Sequence, residues 1–335
     1  MQEASEIAEL LFAGDRGALA RLISWAENRD PRFPEALAQI YPRVGQAWRI
    51  GVTGPPGAGK SSLTNELVKA LRANDERVGV LAIDPSSPFT GGALLGDRIR
   101  MEERTQDPGV YIRSMASRES HGGLARAASD ACDVMDAFGF ERIVVETVGV
   151  GQAEYDVVSA TDTVVCVLCP GAGDGIQAMK AGLLEVADVL CVNKSDLQGA
   201  DRLVMDLEDA IRLRRPLANA RRSSAAGWQT PVVSTSAHEP SGLDDLIAVI
   251  EAHKAYLTDS GSAGGGDGGA ALELIRREKR IEQVRRVVGE RLEEELWGDS
   301  GHTDAVDSLL GKSITPYDVA EEILGTVLWA SGKTP

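Results

Sequence analysis

The eight residues Gly54-Pro-Pro-Gly-Ala-Gly-Lys-Ser61 constrain this chain more than any other feature. They fit the pattern G-x-x-x-x-G-K-[ST], and the flanks are the ones it requires. Trp48 to Thr53 reads as a buried strand and Ser61 to Ala73 as a helix. A strand–loop–helix of this kind wraps phosphate oxygens in backbone N–H groups at the positive end of a helix dipole. Gly54, Pro55, Pro56, Gly57, Ala58 and Gly59 form the loop, and Ser62 follows in the same binding run. Lys60 is expected to reach the β- and γ-phosphates, and the Ser61 hydroxyl to ligate Mg²⁺.

The rest of the middle of the chain alternates short apolar runs with helical stretches. Val78 to Ile83, Val110 to Arg113, Ile143 to Glu146, Thr163 to Cys169, Val189 to Val192 and Val232 to Ser234 are the further strand candidates. Alternation on this scale predicts an α/β fold, a doubly wound, mostly parallel sheet flanked by helices, with its ligand at the strands' C-terminal ends.

A second motif selects the nucleotide. Val189 to Val192 is an apolar strand that runs into Asn193-Lys-Ser-Asp196, the N-K-x-D signature of guanine recognition, about 130 residues beyond the phosphate loop. Asp196 offers two carboxylate oxygens to the N1–H and exocyclic amine of guanine, a pair of donors that adenine lacks. Asn193 braces the loop and the Lys194 stem lies along the base. Ser236 and Ala237, in Ser234-Thr-Ser-Ala237, resemble the loop that closes over guanine in GTPases. The ligand expected is GTP or GDP.

Composition narrows the partners. With 335 residues the chain is long enough for two domains, and 35 basic against 51 acidic residues leave a net charge of −16. That balance argues against nucleic acid or an anionic membrane as a partner. No run of 18 apolar residues spans a bilayer, and the N-terminus carries no basic segment followed by an apolar one. Cys132, Cys166, Cys169 and Cys191 all sit in apolar segments, as in a reducing cytoplasm. Cys166-Val-Leu-Cys169 has half-site spacing for a metal. It lies in a strand that would point the two thiols to opposite faces, with no second pair to complete a set, so buried small hydrophobes are the expectation.

Four segments follow. Residues 1–46 read as a helical extension broken at Asp30-Pro-Arg-Phe-Pro34, residues 47–258 as the nucleotide domain, 259–269 as a glycine-rich linker and 270–335 as a helical arm. Leu272, Ile275, Ile281, Val284, Val288 and Leu292 make an apolar stripe on that arm. The stripe fits either an appendage packed on its own domain or an arm that crosses to a second subunit. Among the acids, Asp84 and Glu146 end strands and Asp97 lies in a Gly-punctuated stretch, all between the two nucleotide motifs. Mg²⁺ takes oxygen ligands and keeps several waters, so these carboxylates are its expected supply, directly or through water.

Asp84-Pro-Ser-Ser, Gly91-Gly-Ala-Leu-Leu-Gly-Asp97-Arg-Ile-Arg-Met101, Glu146-Thr-Val-Gly-Val-Gly-Gln-Ala-Glu154, Gly173-Asp-Gly-Ile-Gln-Ala-Met-Lys180 and Asn193-Lys-Ser-Asp196 together resemble the MeaB/MMAA family. These are GTPase chaperones of adenosylcobalamin-dependent acyl-CoA mutases, earlier described as transport kinases. The resemblance covers roughly residues 1 to 330. It implies a GTPase that gates cofactor loading of a mutase, methylmalonyl-CoA mutase above all, and protects or reactivates it. It implies a homodimer joined through C-terminal helices, and switch segments at 84–104, 146–154 and 173–180. Lys60, Asp84, Glu146 and Lys180 are then the catalytic positions, and Ser61, Asp84, Asp97 and Glu146 the metal positions. A P-loop kinase and a metal-insertion GTPase are the alternatives. The chemistry inferred is phosphoryl transfer to water, with Arg98, Arg100 and Lys180 as candidates for a cation supplied in cis; slow intrinsic turnover is expected, raised by a partner that orders the switches.

Overall fold

The computed structural model describes residues 2–85, 107–117, 123–147, 159–171, 182–213, 228–236, 241–259 and 270–297, together with residues 315, 317, 318 and 320. Three helices come first: α1 (Gln2–Phe12), α2 (Arg16–Asn28) and α3 (Phe33–Ile40). Asp15 caps α2 by accepting the Ala18 N–H at 2.7 Å, and Arg29 ends it in a left-handed conformation, φ 54°. The break anticipated at Asp30 to Pro34 falls at the turn between α2 and α3, with Phe33 and Pro34 already in the first turn of α3.

The chain then alternates: β1 (Trp48–Thr53), α4 (Lys60–Ala73), β2 (Val78–Pro85), β3 (Val110–Ser117), α5 (Gly123–Phe138), β4 (Arg142–Thr147), β5 (Thr163–Leu168), α6 (Leu183–Val186), β6 (Val189–Asn193), α7 (Ala200–Leu213), β7 (Val232–Thr235), α8 (Leu243–Asp259) and α9 (Ala270–Trp297). The seven strands form one sheet in the order β3-β2-β4-β1-β5-β6-β7, and every pairing is parallel. Each strand expected from the sequence is present, because strands buried on both faces are apolar along their whole length. β1 is the central strand. From it the chain leaves to β2 on one side and later reaches β5 on the other, so the topological switch point lies beside its C-terminal end.

Each face of the sheet has its own core. On one, α1, α2, α3 and α5 cover Leu81, Ile83, Met115, Ile143 and Val145. On the other, α4 and α8 cover Ile50, Val52, Val80, Val144, Val165 and Val167, and Leu272 and Ile275 of α9 pack there too. Cys166 belongs with Leu168, Leu190 and Leu207, whereas Cys169 belongs with Val165 and Val167. The two thiols of the C-x-x-C segment therefore do point to opposite faces, and all four cysteines are buried and unbridged.

The chain divides into a unit of Met1–Lys279 and a unit of Arg280–Pro335, a division that falls within α9. The root of α9 is held by charge as well as packing. Arg276 donates to both carboxylate oxygens of Asp162, at 3.2 and 3.0 Å, and to the carbonyls of Gly45 and Ala47 at 2.6 and 3.1 Å. Lys279 donates to the Thr161 carbonyl and stands 3.8 Å from Asp162. Burial alone would raise the Asp162 pKa, but Lys279 and Arg276 outweigh it and hold the carboxyl below its ordinary range. In the second unit, Val284 and Val288 on the same stripe are exposed.

Candidate nucleotide site

Residues 54–59 leave the C-terminal end of β1 at the switch point. Gly54 has φ +133°, and a Cβ on it would sit 2.1 Å from the Val167 carbonyl oxygen of neighbouring β5. No other residue lets the loop turn so close to that strand. Gly59, at φ +89°, opens α4, and no side chain caps the helix there. Most helices close this end with a Ser, Thr, Asp or Asn; an uncapped, glycine-led start is the geometry that receives phosphate.

Lys60 is buried, and its Nζ donates to the carbonyls of Gly54 and Pro55 at 2.8 and 2.9 Å, so the ammonium curls back across the loop. Ser61 Oγ donates to Glu146 Oε1 at 2.5 Å. Glu146 is the penultimate residue of β4 and is buried. A hydroxyl and a carboxylate thus meet at the first turn of α4. Both are hard oxygen donors, which suits Mg²⁺. Asp84 is the penultimate residue of β2, whose partner β4 carries Glu146 opposite Ala82, so the two acids lie at the same edge of the sheet. Asp97, Lys180, Arg98 and Arg100 lie outside the described residues, as does Ala237.

The second motif closes on the first. β6 ends at Asn193, and Lys194 follows with φ 58°, an uncommon conformation for a residue with a side chain. Asn193 Nδ2 donates to the Ala58 carbonyl at 2.9 Å and the Gly59 carbonyl at 3.4 Å, and Lys194 Nζ donates to the Gly57 carbonyl at 2.7 Å. A Cβ on Gly59 would come within 2.4 Å of Asn193 Nδ2, so glycine is required there by the neighbouring loop as well as by its own φ. Asp196 is exposed, and its Oδ1 accepts from Ser236 Oγ at 2.6 Å. The structure therefore brings Gly54 to Ser61, Glu146, Asn193, Lys194, Asp196 and Ser236 to one end of the sheet. Two neighbours were not singled out from sequence as site residues. Cys169 lies 3.9 Å from the Gly57 carbonyl, and Thr235 donates from Oγ1 to Asn193 Oδ1 at 3.2 Å.

A family model described as methylmalonyl Co-A mutase-associated GTPase MeaB matches residues 19–300. The chain belongs to the MeaB family. It is 42% identical over 332 residues to a protein of Pyrococcus horikoshii named as a GTPase, covering 98% of this chain and 99% of that one. The mouse methylmalonic aciduria type A homolog, mitochondrial, is 34% identical over 268 residues, 75% of this chain and 63% of that protein. Among solved structures, a crystal structure of an LAO/AO transport system kinase matches with a TM-score of 0.69 and 26% identity, covering 97% of each chain. As a MeaB protein the chain is a GTPase, and guanine nucleotides are its ligands. No described helix is long and apolar enough to cross a membrane.

Proposed function

We propose that this MeaB protein is a GTP-hydrolysing chaperone of an adenosylcobalamin-dependent acyl-CoA mutase, methylmalonyl-CoA mutase first, and that it gates cofactor loading and protects or reactivates the enzyme. The observation that carries the reading is the bridge from Asn193 and Lys194 to the carbonyls of Gly57, Ala58 and Gly59. It joins a base-reading loop to a phosphate loop in one site, which is what a guanine-nucleotide switch requires.

In that site Lys60 and the loop amides neutralise charge on the β- and γ-phosphates, and Asp196 reads guanine with Ser236 beside it. Ser61 and Glu146 would hold Mg²⁺, with Asp84 and Asp97 as its further assigned ligands; bound there, the ion would supply further charge neutralisation at the phosphates. Glu146 and Asp84 are also assigned to hold the attacking water, and Lys180 to partner-stimulated hydrolysis. Residues 1–46 extend the nucleotide domain of 47–258, and 270–335, beyond the 259–269 linker, form a dimerisation arm whose exposed stripe, Val284 and Val288 included, faces a second copy. The protein works in the cytoplasm, away from membranes and nucleic acid.

The test is co-elution with purified methylmalonyl-CoA mutase on a sizing column, run with GDP and with a non-hydrolysable GTP analogue. The reading predicts a complex whose amount depends on the nucleotide. No complex in either state would exclude this mutase as the client.

A further inference from the structure

At the edge of the sheet away from the nucleotide residues, four buried polar side chains meet. Trp48 opens β1, Thr163 opens β5, Asp188 directly precedes β6 and His253 belongs to α8. They are 3%, 0%, 4% and 2% exposed. His253 Nδ1 lies 2.9 Å from the Thr163 hydroxyl oxygen, which also accepts the Trp48 indole N–H at 3.0 Å. The other ring nitrogen, Nε2, stands 3.6 Å from Asp188 Oδ1, and Asp188 Oδ2 accepts the Val164 N–H at 2.8 Å. Trp228 packs on the imidazole with ring centroids 4.8 Å apart, and its indole N–H donates to the Asp188 carbonyl at 2.9 Å.

A carboxylate in the interior needs a counter-charge. The charged groups on the surrounding elements are engaged elsewhere. On α8, Glu251 pairs with Arg142, Lys254 lies over the Trp48 ring and Tyr256 meets Trp228. On β1, Arg49 goes to Asp133 and Asp136, and beside Thr163 the Asp162 carboxylate takes Arg276 and Lys279. On α4, Lys69 pairs with Glu66 and Arg72 with Asp107, while Cys191 of β6 meets Thr235. Among the described residues, His253 is the group placed to neutralise Asp188.

Burial opposes a charged ring taken alone. The pair is a different matter: with the proton on the imidazole it is neutral, and without it a lone negative charge stays buried. The Thr163 hydroxyl accommodates either state. After accepting the Trp48 N–H it can accept again from a charged ring, or give its own proton to a neutral one.

We propose that His253 and Asp188 form a buried, proton-carrying latch that seats α8 on the starts of β5 and β6 and makes the fold sensitive to pH above neutrality. In the folded chain His253 then keeps its proton beyond the ordinary histidine value of about 6.5. The latch contributes in full below that value. Its contribution is lost as pH rises through the folded value, because the folded chain gives up a proton that the unfolded one has already lost.

The experiment is NMR of ring-labelled histidine on the full chain, titrated through the range around and above the ordinary histidine value. Four histidines give four ring signals, and replacing His121, His238 and His302 by Gln one at a time leaves the His253 signal by elimination. At pH 7.5 the His253 ring should still be charged; a neutral ring at that pH overturns the proposal. Urea melts of the wild type and of Asp188→Asn give a second readout, since Asn keeps the shape and an acceptor for the Val164 N–H. Above the ordinary histidine value, the unfolding equilibrium constant of the wild type should rise about tenfold per pH unit relative to the Asn variant, the effect of one proton. Parallel pH profiles of the two proteins would overturn the latch. Should Asp188→Asn fail to fold, the ring titration of the wild type decides by itself.

Discussion

In the proposed site, base choice rests on Asp196. It is exposed at the end of the β6 loop, with one oxygen already held by Ser236. A carboxylate positioned in this way can take two charge-assisted bonds from guanine and none from adenine. Asp196→Ala should therefore weaken GDP binding by about a hundredfold, about 3 kcal/mol, while binding of ADP stays poor. Calorimetric titration of both nucleotides checks this; a variant that still prefers GDP as strongly as the wild type would remove Asp196 from base recognition. At this scale the sequence was most legible where spacing is dictated by the ligand: Gly54 to Ser61 and Asn193 to Asp196 lie where the motifs predict. Thr235 was not legible as a site residue. It falls inside the Ser234-Thr-Ser-Ala237 segment, but its contact with Asn193 depends on the parallel register that sets the two opposite each other.

Among elements, the seven strands could be read because full burial leaves them apolar throughout, and the break between α2 and α3 because proline and a left-handed turn fall there. The seating of α9 could not be read. Its amphipathic stripe predicts a helix with one apolar face, but the partner of Arg276 is Asp162, 114 residues earlier. That pair dominates the root of the helix. The Asp162 side chain is only 3% exposed, so removing Arg276 leaves a buried carboxylate with poorer compensation. Arg276→Ala should lower unfolding stability at pH 7 by about 3 kcal/mol, the low end for a broken buried pair, because Lys279 remains close. The sign with pH follows from the depressed pKa. Asp162 in the folded chain ionises below its ordinary 3.8, so its contribution is present above that value and is lost as pH falls through the folded pKa. Urea melts at pH 7 and in the acid range test both statements. Equal stability of wild type and variant at pH 7 would make the pair an incidental surface contact.

On the scale of the whole molecule, an acidic chain with a net charge of −16 carries a parallel sheet whose C-terminal edge gathers every described nucleotide residue. The opposite edge carries the Arg276–Asp162 anchor, where β1 and β5 begin. The nucleotide domain and the root of α9 thus belong to one unit, Met1–Lys279, and the remainder of α9 to the next. The switch segments that the family resemblance implies, 84–104, 146–154 and 173–180, lie mostly outside the described residues. The central claim is that a partner mutase, and not the isolated chain, drives hydrolysis at this site. It is tested most directly by GTP turnover of the protein alone and with purified methylmalonyl-CoA mutase, with ATP as the control. The account predicts slow basal hydrolysis of GTP, clear acceleration by the mutase and no comparable use of ATP. Several turnovers per second by the chain alone, or equal rates on GTP and ATP, would contradict it.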